Sequence, residues 1–304
     1  ETVLDGESLS NLFAHFPRVS TFTSSAVTAA DFVSIANTCR YVTNATVYVT
    51  ETISVPDMTE VALCWPHLQQ IQIYSTEGVS CAEHAWVGLV QLCPLLTVAK
   101  FCIHSVCTSD GWVRRSKCVY PVEYKGSRLY ELCVESMSEN ALRSIIQHCP
   151  YLHILAILHH QPYAIPKTLL NSSVDTVRPA ELALQYVSNS SIQVLYLSNF
   201  TRLSDKLVRK LHNIEQLYVS NAGRNLTNEC ISELSSRCPN LKALRLRGCV
   251  AITDRFVLPL LEACPELVLL ELYKNATDVS SEKSRGMSML KALVHKKYPS
   301  IRCF

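Results

Sequence analysis

Hydrophobic residues along the chain follow a repeated two-part pattern. In its clearest copy, residues 241–246 read LKALRL, with leucines three and then two positions apart. Residues 252–264 then read ITDRFVLPLLEAC, with apolar residues at helical spacing. Side chains along a strand alternate with a period of two, whereas one face of a helix recurs every three to four residues. The pattern therefore predicts a short strand followed by a return helix.

The ends of the predicted helix are also marked in the sequence. Thr253 or Asp254 can cap its first turn by accepting hydrogen bonds from backbone N–H groups. At the other end lies Cys264, and the following Pro265 prevents the helix from continuing. Free cysteine is among the most buried residue types, so we interpret the cysteines at this repeat position as packing thiols. They are Cys39, Cys64, Cys93, Cys149, Cys238 and Cys264.

Variants of this pattern recur along the chain at intervals of mostly about 23–29 residues, the period typical of leucine-rich repeats. One such repeat cannot bury its own apolar face, but a stack of repeats can. We therefore predict an α/β fold, in which residues 1–304 form a single solenoid of roughly ten repeats. Its parallel strands would line the concave face, and its helices would cover the convex face.

Three stretches depart from the repeat. Residues 104–127 and 159–181 are predicted to be loop insertions or degenerate repeats, and residues 284–304 a C-terminal cap. Insertions in solenoids usually emerge on one face, which is often the binding face. The first insertion contains Trp112, Arg114 and Arg115, which are candidate partner-binding residues.

The stretch CPNLKALRLRGCVAITD at 238–254 resembles the cysteine-containing leucine-rich repeat of F-box/leucine-rich-repeat proteins. The resemblance implies a horseshoe-shaped solenoid that recognises other proteins. It also implies the substrate-binding part of an F-box-type ubiquitin ligase, with the other ligase subunits bound through an upstream segment. Repeat-like sequence already begins at residues 16–22, so an F-box would have to precede residue 1.

Candidate chemistry other than protein binding finds little support. The formal net charge of +2 gives no reason to expect a nucleic-acid or membrane partner. Cys102, His104, Cys107 and Cys118 have the residue types of a zinc site but match no strong ligand spacing. No phosphate-binding glycine loop or catalytic signature is present. We therefore predict no metal, no cofactor and no enzymatic activity.

Residues between the inward leucines of each predicted strand should project from the concave face, where partners of solenoids usually dock. Tyrosine and arginine are enriched at binding hot spots, although tyrosine also suits any exposed strand. The candidate partner-binding residues are Tyr74, Tyr196, Tyr218, Arg245, Arg247, Glu271 and Tyr273.

Two observations bear on the compartment and give opposite indications. An excess of Asn-x-Ser/Thr sequences favours a secreted or surface protein; their asparagines are Asn44, Asn171, Asn189, Asn199, Asn225 and Asn275. Cysteines at buried repeat positions favour a reducing compartment, and we predict a cytoplasmic or nuclear protein on that basis. The predicted function is non-catalytic protein recognition. A structural leucine-rich-repeat subunit of another assembly and a secreted or cell-surface glycosylated recognition protein remain as alternatives.

Overall fold

Short parallel strands alternate with helices in the computed structural model. It describes residues 15, 18–75, 83–103, 127–134, 139–158, 187, 190–198, 200, 203–222, 225–249, 251–273 and 302–303. The strands are β1 (Thr21–Val27), β2 (Asn44–Val49), β3 (Gln70–Ser75), β4 (Val98–Ile103), β5 (Glu131–Val134), β6 (Ile154–Leu158), β7 (Val194–Ser198), β8 (Gln216–Ser220), β9 (Ala243–Arg247), β10 (Leu269–Tyr273) and β11 (Arg302–Cys303). The helices are α1 (Ala29–Thr38), α2 (Val55–Cys64), α3 (Glu83–Leu92), α4 (Glu139–His148), α5 (Asp205–Val208), α6 (Asn228–Arg237) and α7 (Val257–Ala263).

The chain divides into two compact units. The first comprises Glu1–Met137 and Ser144–His153, and the second comprises Ser138–Arg143 and Ile154–Phe304, so that α4 is shared between them. In the first unit, β1 to β5 pair in chain order, every pair parallel. In the second unit, β6 to β11 do the same. The predicted α/β class with parallel strands is therefore confirmed in each unit.

The predicted inward leucines form continuous buried rows. In the second unit, Leu217 on β8 is the register partner of Leu244 on β9, which in turn pairs with Leu270 on β10. All three are almost completely buried. A second buried row runs through Leu197, Val219 and Leu246. Because a strand has a period of two, these rows leave the residues between them on the opposite face.

The register between neighbouring repeats is set just before several strands of each unit. The backbone oxygen of Glu215 accepts hydrogen bonds from two successive N–H groups of the next repeat, those of Lys242 and Ala243, at 2.7 and 3.1 Å. In the first unit, Gln69 accepts in the same way from Thr97 and Val98, at 2.7 and 3.2 Å. The repeated two-donor contact aligns the strands whatever the length of the intervening loop and helix.

The helices α6 and α7 are each followed by a buried cysteine whose thiol lies near a backbone oxygen of the preceding repeat. Cys238 and Cys264 follow α6 and α7, and each donates its backbone N–H to the residue four positions earlier. The Sγ of Cys264 lies 3.6 Å from the backbone oxygen of Cys238, and the Sγ of Cys238 lies 3.8 Å from that of Leu211. The interpretation as packing thiols is confirmed for Cys39, Cys93, Cys149, Cys238 and Cys264, which are all buried.

For Cys64 the interpretation is wrong. This cysteine is the last residue of α2 and is partly exposed, with its Sγ 3.1 Å from Oδ1 of Asn37. Trp65 takes the capping position instead, fully buried, and its Nε1–H donates to the backbone oxygen of Cys39 at 2.8 Å. The position needs a buried group that donates to the previous repeat, and an indole meets that requirement as well as a thiol does.

The predicted cap of α7 is also wrong. A 3₁₀ turn, Asp254–Phe256, precedes this helix, and its N-cap is Phe256 without a side-chain hydrogen bond. Thr253 contacts the preceding repeat instead: its N–H donates to Oδ1 of Asn228 at 2.9 Å, and its hydroxyl accepts from Nδ2 of Asn228 at 2.7 Å. One repeat earlier, Asp205 occupies the position equivalent to Asn228, and its carboxylate accepts hydrogen bonds from the N–H and the hydroxyl of Thr227.

The predicted insertions 104–127 and 159–181 and the predicted cap 284–304 fall largely outside the described residues. The exceptions are Ser127 and the short strand β11, which pairs with β10 through Leu269 and Arg302. The candidate residues Trp112, Arg114 and Arg115 lie outside the described part of the chain. They remain predictions.

Candidate protein-binding surface

Four of the predicted residues form one row across neighbouring strands of the second unit. Tyr196 on β7 is the register partner of Tyr218 on β8, which pairs with Arg245 on β9, and Arg245 pairs with Glu271 on β10. Each lies between two inward residues of its strand, so the row is on the face opposite the buried leucines. We call these four residues the Tyr–Arg–Glu row.

Tyr218 is the most enclosed member of the row. Only 3% of its surface is exposed, its ring centre lies 5.6 Å from that of Tyr196, and its hydroxyl donates to Oε1 of Gln216 at 2.9 Å. Burial raises the pKa of the Tyr218 hydroxyl, although the nearby Arg245 charge acts in the opposite direction. The phenol is therefore neutral at physiological pH and held in one orientation.

Arg245 connects the aromatic and acidic parts of the row. Its Cζ lies 5.0 Å from the ring centre of Tyr218, which is a cation–π contact, and its Nε lies 2.9 Å from Oε2 of Glu271. The side chains of Arg245 and Glu271 are 31% and 30% exposed, so both are reachable from solvent. The row thus presents a guanidinium whose position is fixed before any partner binds.

The next row along the same strands is more polar. Ser198, Ser220, Arg247 and Tyr273 are successive register partners on β7 to β10. The hydroxyl oxygens of Ser198 and Ser220 are 2.9 Å apart, and Arg247 is exposed. Tyr273 therefore lies one row away from Tyr218, next to Arg247. Its side chain is outside what the structure describes.

The remaining predicted residue, Tyr74, lies in the first unit. Its ring stacks on that of Tyr48, the register partner on β2, with ring centres 5.0 Å apart and an angle of 24° between their planes. The Tyr74 hydroxyl donates to Oε1 of Gln72 at 2.7 Å. On the same sheet, Nζ of Lys100 lies 2.8 Å from Oε1 of Glu131. Sequence reasoning missed Tyr48 and Lys100, although both occupy outward positions of strands.

Reactive or metal-binding groups are not evident among the described residues. No cluster of three or more histidine, cysteine, aspartate or glutamate side chains occurs there that could hold a metal ion. Burial raises the pKa of the Cys93 thiol to about 12 and those of Cys249 and Cys264 to about 11. These three thiols are therefore protonated at neutral pH and are poor nucleophiles. Among the described residues, no helix has the length and apolar character needed to cross a membrane.

The recurring strands and helices define an α/β repeat protein. No family model matches the chain, and no curated protein matches it significantly. Among solved structures, a chain in the crystal structure of the yeast Rad7 and Elc1 complex is similar, with 13% sequence identity and a TM-score of 0.44. The match covers 88% of this chain and 71% of that chain. At this TM-score the likeness does not indicate a function.

Proposed function

We propose that the protein is a non-catalytic recognition module that binds another protein through the Tyr–Arg–Glu row. The observation that supports this most directly is the position of Arg245, held between the ring of Tyr218 and the carboxylate of Glu271. Arginine and tyrosine supply much of the energy of protein interfaces, because each combines a large contact area with directional polar groups. A side chain that is already ordered loses less entropy on binding.

The charges on this surface favour an acidic partner. The Tyr–Arg–Glu row and the polar row beside it contain two arginines, Arg245 and Arg247, and one glutamate, Glu271. A carboxylate of the partner can pair with a guanidinium through two parallel hydrogen bonds. The partly exposed ring of Tyr196 would pack against the apolar part of the same partner segment, while Tyr218 holds Arg245 in place from below.

More specifically, we propose that this module is the substrate-binding part of an F-box-type ubiquitin ligase and that its repeats form a horseshoe-shaped solenoid. The resemblance of residues 238–254 to the cysteine-containing repeat supports it. The buried, protonated thiols at the helix ends support a reducing, cytoplasmic or nuclear location. One observation favours the secreted or surface alternative, because Asn225, which begins an Asn-x-Thr sequence, is exposed.

The test is a paired charge reversal, Arg245→Glu with Arg247→Glu, in the full chain. Partners are first captured from the native cell and identified by mass spectrometry, and their affinities are then measured with purified protein. We expect the variant to bind its partner at least tenfold more weakly, which corresponds to about 1.4 kcal/mol. The matched control is Lys206→Glu with Arg255→Glu, which makes the same change in net charge at two exposed helical positions.

Each outcome of this experiment is informative. If the variant keeps its thermal stability and its partner binds it normally, the Tyr–Arg–Glu row is not the binding surface. Adaptor and scaffold subunits of a ubiquitin ligase among the captured proteins would support the ligase proposal, whereas a different fixed set of subunits would replace it. A glycan on Asn225 would contradict the proposed location.

A further inference from the structure

Two outward rows of β1, β2 and β3 consist of uncharged polar side chains. On these strands the inward residues Phe22, Ala45 and Ile71 are register partners and are almost completely buried. Because side chains alternate along a strand, the residues before and after each of them lie on the opposite face. They form two rows of register partners, one of Thr21, Asn44 and Gln70 and the other of Thr23, Thr46 and Gln72. We call these six residues the amide–hydroxyl face.

The amide–hydroxyl face is reachable from solvent and offers hydrogen-bonding groups. Half of its members, Gln70 among them, are exposed, and the other half are partly exposed. Two amides use part of their capacity within the chain: Nδ2 of Asn44 donates to Oγ1 of Thr43 at 3.1 Å, and Oε1 of Gln72 accepts from the Tyr74 hydroxyl at 2.7 Å. Since a primary amide has two N–H groups, each of these two still has a donor for a ligand.

The lack of charge distinguishes this face from the Tyr–Arg–Glu row. None of its six side chains is ionisable, whereas the Tyr–Arg–Glu row includes Arg245 and Glu271. The next residue in register after Gln72 is Lys100 on β4, whose ammonium group lies 2.8 Å from Oε1 of Glu131. A charged group of a partner would lose hydrating water at this face without meeting an opposite charge among the six residues, which is unfavourable. The face therefore suits a neutral ligand rich in hydrogen-bonding groups.

The spacing within the face matches that of an extended polypeptide. Gln70 and Gln72 are two residues apart on β3, a separation of about 6.6 Å along a strand. In an extended segment, peptide groups that point the same way recur at this same distance, and each offers one N–H donor and one C=O acceptor. The primary amide of glutamine offers the complementary C=O and NH₂ groups. Two glutamines on one strand can thus bind successive peptide groups, with Asn44 and Thr46 beside them on β2.

We infer that the amide–hydroxyl face binds an uncharged, extended segment of a partner polypeptide through the backbone of that segment. Backbone hydrogen bonds supply the affinity, and the lack of charge on the face selects against acidic and basic segments. The inference does not rest on the proposed function, because it concerns the other unit and a partner segment of different chemistry.

The test uses a peptide of known composition instead of the native partner. Full-length protein labelled with ¹⁵N at glutamine is titrated with acetyl-Thr-Ser-Val-Thr-Ser-Thr-amide, and the side-chain NH₂ signals are assigned from Gln70→Thr and Gln72→Thr variants. We expect both signals to shift with saturation. The dissociation constant should change less than about twofold between low and high salt, because contacts between uncharged groups are not screened.

Backbone recognition is tested with N-methylated peptides. Two versions of the peptide carry N-methyl groups on their odd or on their even residues, so that each lacks one of the two sets of N–H groups that point the same way. One version should bind at least about tenfold more weakly, because it loses more than one hydrogen bond. Equal binding of both versions and the parent peptide would show that the backbone is not recognised and would overturn the inference.

A matched pair of variants assigns the binding to this face. Gln70→Glu keeps the shape of the side chain, removes its donors and adds a charge, and it should weaken binding about three- to tenfold. Gln91→Glu makes the same change at an exposed position of α3 in the same unit and should alter nothing. Both positions are exposed, so melting temperatures should stay those of the wild type. Normal binding to a folded Gln70→Glu variant would overturn the inference.

Two further titrations distinguish other ligands. A peptide with aspartate or lysine in place of its serines should bind more weakly than the parent, and tighter binding of either would show recognition of charge instead. Maltohexaose presents hydroxyl groups without peptide groups and should leave the signals of Gln70 and Gln72 unchanged. If these signals respond to the saccharide and not to the parent peptide, the face binds sugars and the inference is wrong; a lack of response to both ligands refutes it equally.

Discussion

Two glycines should respond to the same substitution with opposite signs. Gly248 follows Arg247 at the end of β9 and has φ of +64°, a left-handed conformation that costs an alanine about 1–2 kcal/mol. A Cβ at this position would also lie 2.5 Å from Oδ1 of Asn221. Since that oxygen is at the end of a rotatable side chain, the backbone conformation should contribute most of the cost. Gly248→Ala should therefore destabilise the protein by about 1–3 kcal/mol.

Gly88 provides the matched control. It lies within α3, and a Cβ there would meet no heavy atom within 4 Å. Alanine is favoured over glycine inside a helix by about 0.8–1 kcal/mol, so Gly88→Ala should stabilise the protein by up to that amount. Each kcal/mol corresponds to about 2–4 °C in melting temperature for a domain of 150–250 residues.

Differential scanning calorimetry is the appropriate assay, because Gly88 and Gly248 lie in different compact units. If the units melt separately, each variant should move only its own transition. Measuring the cost of Gly248→Ala in an Asn221→Gly background separates the two causes, since this background removes the contact with Oδ1 but leaves the left-handed backbone at residue 248. The reference is Asn221→Gly alone, because Asn221 has φ of +54° and glycine is favoured there in its own right. If Gly248→Ala cost nothing in this background, the contact and not the φ angle would carry the cost. A melting temperature unchanged by Gly248→Ala would refute the reasoning altogether.

Two further substitutions test the contacts between repeats. Asp205→Ala should cost about 1–3 kcal/mol, because the N–H and hydroxyl of Thr227 both donate to this carboxylate, whereas Asp205→Asn should cost less, since Asn228 already makes the equivalent contact. Burial acts to raise the pKa of Asp205, but the hydrogen bonds from Thr227 and Cys230, together with the Arg209 charge, outweigh it and lower the pKa overall. The contribution should thus be complete above the ordinary carboxyl range and disappear as the pH falls through the lowered folded-state pKa, so acid unfolding curves of wild type and Asp205→Ala should converge. Trp65→Phe removes a buried donor to a backbone oxygen and should cost about 1–3 kcal/mol in urea unfolding followed by circular dichroism; a loss below about 0.5 kcal/mol would mean that water replaces the indole.

The strand positions were predictable because they depend on a local pattern. Leucines three and then two apart determine which residues of a strand face the core, and they did so correctly for Leu244 and Leu246. The position of Arg245 on the opposite face then follows from the period of two. The α/β class was predictable for the same reason, since each strand is followed by apolar residues at helical spacing.

Features that depend on neighbouring repeats were harder to predict. Cys64 was assigned to the capping position because it resembled the other cysteines, yet the backbone places Trp65 there. Pro66 follows Trp65 directly, as Pro265 follows Cys264, so the position of the proline marks the capping residue. Thr253 has the side chain of a helix cap, but Asn228 of the preceding repeat offers it two hydrogen bonds. In both cases a contact between repeats decided the outcome, and no single repeat contains that information.

In the candidate surface, contacts between repeats keep the residues of the Tyr–Arg–Glu row in register although the repeats differ in length. Tyr218 lies between Tyr196 and Arg245 in the row, although the intervening helices differ greatly in length: α5 has 4 residues and α6 has 10. The backbone oxygens of Gln193, Glu215 and Lys242, before β7, β8 and β9, fix the register, because each accepts hydrogen bonds from two N–H groups of the next repeat. Helices and loops can therefore vary without displacing the residues of the row. Residues of such a surface are therefore identified by aligning the strands by their register. The same alignment identifies Tyr48 as the register partner of Tyr74.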